Sequence, residues 1–95
     1  MEQTSFHPGE HIQKELEALS MSPEIFAKQL KIPSIRLIAV IEGRENVNAE
    51  LAMRLAHFFG TTAQYWMNLQ SSFDLEQAQR LHGAEIDALP TLQAA

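Results

Sequence analysis

Apolar residues recur along this chain at helical rather than strand spacing. Ile12, Leu16 and Leu19 fall at i, i+4 and i+7 and predict a first amphipathic helix. Phe26 and Leu30 mark a second segment, with Ser22 as its N-cap and Pro23 at the first helical position. Ser34 is placed to cap a third segment carrying Leu37, Val40 and Ile41, which closes near Gly43. Asn48 caps a fourth, in which Leu51, Leu55 and Phe58 recur, Glu50 lies in the first turn and Gly60 ends the run. Thr62 opens a fifth, with Trp66, Leu69 and Phe73 at i, i+3 and i+7, and the pattern carries it to about Arg80. Beyond Gly83 only Ile86, Leu89 and Leu92 are available for burial, so residues 83–95 read as a partly ordered tail. The turns between segments are too short to be interdomain linkers. The expectation is an all-α chain with one five-helix domain over residues 1–82.

The stretch from Ser22 to Glu42 carries the first functional signal. A short helix with small Ala27 at its middle meets a tight turn at Lys31, then Ile32, then a second short helix. A small residue there lets the second helix approach, and Ile32 can plug the corner. That is helix-turn-helix geometry, in which the second helix can enter a DNA major groove. An ordinary helical corner would share these features, so the segment alone leaves both readings open.

Composition narrows the class. The 95 residues suit a single domain with a modest core, and 45% of them are hydrophobic, enough to fold. With no cysteine, disulfides and thiolate metal sites are excluded. No secretory leader is visible, and Leu37 to Ile41 is too short to span a bilayer, so a soluble cytoplasmic protein is expected. The net charge of −5 argues against a general nucleic-acid binder. The charge is uneven, however. From Ser22 to Gly60 the formal charge is +1, which leaves −6 on the flanks. An acidic frame around a near-neutral middle leaves room for a local DNA-facing patch and suits a basic protein partner.

Two separated strings then point to a family. His7-Pro8-Gly9-Glu10 precedes the first helix, and Trp66-Met67-Asn68-Leu69-Gln70-Ser71-Ser72-Phe73-Asp74-Leu75 lies in the fifth. In this order around a helix-turn-helix they resemble the HigA-type antitoxins, also called the virulence-associated protein I family. The resemblance covers roughly residues 7 to 81. It implies a five-helix, lambda-repressor-like domain, dimerisation, operator binding and, in most members, neutralisation of a HigB-type ribonuclease toxin. The chain departs from the family where DNA would be read. Pro23 and acidic Glu24 stand where the scanning helix often begins with Gln, and Lys31 holds the turn position usually given to Gly. A left-handed backbone is expected at Lys31.

On the reading helix, Leu37, Val40 and Ile41 are expected inward, leaving Ser34, Ile35, Arg36, Ile38 and Ala39 outward or at the rim. Only Ser34 and Arg36 among them can hydrogen-bond a base through their side chains, while Ile35, Ile38 and Ala39 can touch thymine methyls. Lys28, Arg44, Asn46 and Asn48 complete the DNA-binding candidates, the asparagines as phosphate contacts. Tyr65, Trp66, Leu69, Phe73 and Leu75 spread apolar surface over more than one helix face. Trp66 reads first as core, and the surplus around it suggests a dimer interface.

Other residues carry less. His7 and His11 stand four apart, but Pro8 and Gly9 between them keep them from sharing one helix face, so no metal site is expected. His57 reads as a rim residue. No nucleophile elbow or phosphate-cradling glycine loop occurs, and neither an enzyme nor a cofactor is expected. The leading expectation is a homodimeric antitoxin that binds an inverted-repeat operator and a HigB-type toxin. The rivals are a protein-interaction module with lost or weak operator binding and a solitary transcriptional regulator.

Overall fold

The computed structural model describes residues 6–92. Its elements are α1 (Pro8–Leu19), α2 (Pro23–Leu30), α3 (Ser34–Ile41), α4 (Ala49–Phe59) and α5 (Ala63–Asp87). No strand occurs among the described residues, and none of their helices is long and apolar enough to cross a membrane.

The caps explain where most helices begin. The side chains of Ser22, Asn48 and Thr62 accept hydrogen bonds from Ile25 N, Leu51 N and Tyr65 N. Each satisfies an amide that the first helical turn would leave without a partner. His7 does the same for α1, its Nδ1 accepting from Gly9 N at 3.0 Å. Helix α3 differs from expectation. Pro33 is its N-cap, no side-chain bond closes the cap, and Ser34 is the first helical residue.

The core gathers Ile12 and Leu16 of α1, Phe26, Ala27 and Leu30 of α2, Leu37 and Val40 of α3, Leu51, Ala52 and Leu55 of α4, and Trp66 of α5. Phe26 meets Phe58 edge-on at 5.0 Å, and Phe59 bridges towards Trp66 at 5.7 Å. Two polar links tie distant elements. Arg54 of α4 donates through Nη1 to the Leu30 carbonyl at the end of α2, at 2.8 Å. Gln70 of α5, itself buried, accepts from Val47 N at 2.7 Å and donates to Asp74 at 2.9 Å.

Helix α5 corrects the expected boundary. It runs through residues 82 and 83 without a break and ends at Asp87, so the expected tail begins inside a helix. Gly83 did not stop it; the Gln79 side chain lies over the glycine and buries it.

Candidate nucleic-acid interface

The turn between α2 and α3 sets the orientation of the reading helix. Lys31 takes the left-handed conformation, at φ 56° and ψ 47°. Its amide donates to Lys28 O, and the Ile32 amide reaches back to Ala27 O at 3.0 Å. Those bonds satisfy the last carbonyls of α2. Ile32 then turns inward and is 9% exposed, while Ala27 beneath it is 1% exposed. Both play the parts that their positions predict.

Beyond the turn, Leu37 and Val40 anchor α3 in the core. Ile35 stands out into solvent at 81% exposure. Arg36, Ser34 and Ile38 are half-buried. Two expectations about this helix need correction. Ala39 is buried, because the chain after α3 folds back over it: the Arg44 and Glu45 amides both donate to the Ala39 carbonyl, at 2.8 and 3.2 Å. Ile41, expected inward, is only half-buried against the core.

This fold-back makes a shallow concavity of about 740 Å³ between α3 and the α3–α4 loop. Ile35, Arg36, Ala39, Arg44, Asn46 and Asn48 line it, so six of the nine candidate residues come together. Lys28, Ser34 and Ile38 lie outside it; Lys28 is exposed on α2. The structure adds Pro33 and Glu45 to the lining. Asn48 has its side-chain oxygen committed to the α4 cap, which leaves its amide nitrogen as the group free to donate outward. Arg44 donates through Nε and Nη2 to one oxygen of Glu42, at 3.0 and 2.7 Å. Glu50, in the first turn of α4, receives Arg54 at 2.9 Å. That bond and charge hold its carboxyl below the ordinary 4.5, opposed by desolvation and helped least by the charge of Arg36.

Gln70 is the positioning residue that the pattern reading missed. Its bond to Val47 N pins the loop at the residue between Asn46 and Asn48. The signal was its place four residues after Trp66, on the same buried face of the helix.

The expected interface residues on α5 divide. Trp66 is 2% exposed, and its Nε1 donates to Thr61 Oγ1 at 2.9 Å; it belongs to the chain's own core. Leu69 and Phe73 are half-buried, Phe73 meeting the His7 ring edge-on at 5.1 Å. Tyr65 and Leu75 are exposed. Among the described residues, no group of three or more His, Cys, Asp or Glu side chains is placed to hold a metal.

No protein-family model matches the chain. Virulence-associated protein I of Dichelobacter nodosus is 32% identical over 80 residues, covering 83% of this chain and 74% of that protein. An addiction module antidote protein of the HigA family from Coxiella burnetii superposes with a TM-score of 0.91 at 39% identity, covering 96% of this chain and 100% of the other. The chain belongs to the HigA-type antitoxin family. The Pseudomonas aeruginosa antitoxin HigA, solved with the higBA promoter, superposes with a TM-score of 0.87 at 33% identity over 93% of this chain and 98% of that one.

Both strings that carry the HigA resemblance have physical reasons here. In the first, His7 caps α1, and a Cβ at Gly9 would strike the Val40 carbonyl of α3. In the second, Trp66 fills the core and Gln70 pins the loop.

Proposed function

We propose that this HigA-family chain is an operator-binding antitoxin. It acts as a cytoplasmic homodimer without enzymatic activity or cofactor, represses its own promoter, and neutralises a HigB-type ribonuclease through its acidic surface. The observation that carries the DNA reading is the convergence of Ile35, Arg36, Arg44, Asn46 and Asn48 on one concave face beside α3. The same fold, in the Pseudomonas HigA, is solved on promoter DNA. In the proposed mode α3 presents Ile35 and Arg36 to the major groove, while the loop places Arg44 and Asn46 at phosphates.

A gel shift on the chain's own promoter tests this. The bound site is an inverted repeat with half-sites about 34 Å apart or a multiple of that. Lys28, Arg36 and Arg44 from two subunits give a log–log salt slope of about −5. Arg36→Ala weakens binding most. The loss is about 1–3 kcal/mol and confined to sites carrying guanine if Arg36 reads that base. It is similar on every sequence if Arg36 contacts only phosphate.

One observation favours a second reading. Ile35 offers a fully outward apolar side chain on the reading helix, which also suits a protein partner. Failure to shift promoter DNA at low salt, with Ile35→Asp abolishing a protein complex, would replace the repressor by an interaction module. Promoter binding with no toxin gene alongside would leave a solitary regulator.

A further inference from the structure

We propose that Glu42 and Glu45 are affinity-limiting residues of the DNA face, holding its attraction for phosphate down so that base contacts by α3 decide binding. The inference rests on the operator-binding reading. Arg44, which lines the concavity, is held by Glu42 through two hydrogen bonds to one carboxylate oxygen. Glu45 lines the same concavity between Arg44 and Asn46. Arg44 is therefore neutralised by one carboxylate and flanked by a second on the surface that would meet a polyanion.

Fold stability does not account for this arrangement. Both carboxylates are exposed, and exposed ion pairs add little to stability. Their effect falls on whatever approaches Arg44. A phosphate reaching Arg44 competes with a carboxylate already bound there, and Glu45 repels it at close range. Sequence-independent binding to DNA consists almost wholly of such phosphate attraction, so cancelling charge suppresses it. What remains is the contact of α3 with base edges.

The test measures binding of the full-length protein to promoter DNA and to a non-operator duplex, across a salt series. The variants are Glu42→Gln, Glu45→Gln and the double variant, with Asp87→Asn at the far end of α5 as a control of equal charge change. Both glutamines keep the side-chain length, and neither replaced residue packs in the core. Each substitution tightens binding about three- to tenfold at low salt, and the gain shrinks as salt rises and screens the removed repulsion. Non-operator DNA becomes bound by the double variant at salt where the wild type releases it. Asp87→Asn leaves affinity nearly unchanged.

Unchanged or weaker binding in the variants, while the wild type binds its promoter, overturns the inference alone. Equal tightening by Asp87→Asn also overturns it, since overall charge would then be the cause. If neither wild type nor variants bind any DNA, both the inference and the operator reading fall. If only the variants bind, the operator reading falls for the native chain, and the inference, which rests on it, falls too.

Discussion

Gly9 sets how closely α1 approaches α3. A Cβ built there would meet the Val40 carbonyl and lie 2.7 Å from the Ile41 carbonyl. Those atoms are backbone, so no side chain can swing aside and a helix must move. Overpacking of this kind costs about 1–3 kcal/mol, against a gain of about 1 kcal/mol for alanine over glycine inside a helix. Gly9→Ala is therefore expected to be destabilising on balance, and the cost falls on the helix that presents Arg36. Urea denaturation measures it, and a variant as stable as the parent or more so would mean that α1 slides without penalty. Gln70 shows the limit of reading residues from sequence. Its helical register with Trp66 was visible, but its partner is the Val47 amide, 23 positions away in a loop. Only the tertiary structure supplies that loop. Ala39 was misplaced for a related reason: the loop that covers it is not part of the helix whose period was being read.

Among elements, the helix starts were the most legible. Ser22, Asn48 and Thr62 each make the cap bond that their chemistry favours. The left-handed turn at Lys31 was legible too, because the corner needs it whatever residue occupies it. The end of α5 was not, since a glycine inside a helix costs only about 1 kcal/mol and does not by itself halt one. The latch between α2 and α4 was also hidden. Arg54 joins the Leu30 carbonyl and Glu50, which brings its charge to the C-terminal end of α2, where the helix dipole favours a cation. A pH dependence follows. The Glu50 carboxyl is held below its ordinary 4.5 in the folded chain, chiefly by the Arg54 hydrogen bond and charge. Its contribution to stability is then fully present above 4.5 and is lost as pH falls through the depressed value. Denaturation midpoints of the wild type and Glu50→Gln should differ by a small margin near neutrality, as an exposed pair allows, and converge below pH 4.5. A gap that stays constant into acid would rule out this role for Glu50.

The whole molecule is longer than a compact chain of its size. Its extents are 57 × 26 × 21 Å and its radius of gyration is 16.5 Å, where about 12 Å is usual for such a length. A 25-residue helix spans about 37 Å, and the distal half of α5 projects beyond the core that its first turns help to build. There Leu75, Ala78, His82 and Ile86 recur at i, i+3, i+7 and i+11, all exposed. Eleven residues are close to three full turns, so these side chains share one face. Leu75 is 71% exposed and Ile86 56%, and this chain buries neither. A second copy meeting the same stripe would cover both in an isologous interface. That contact would centre on Leu75 and Ile86, further along α5 than Trp66 and Leu69, which face the chain's own core. Sedimentation at micromolar concentration should give a species of twice 10.7 kDa. Leu75→Asp and Ile86→Asp should each shift it to the monomer, with helical content retained because neither side chain fills the core. Operator affinity should fall in step, since one subunit reaches one half-site. A wild type that stays monomeric at every accessible concentration would remove the dimer and the two-half-site mode together. A dimer indifferent to both substitutions would place the interface on another face, with exposed Tyr65 near the start of α5 as the next position to change.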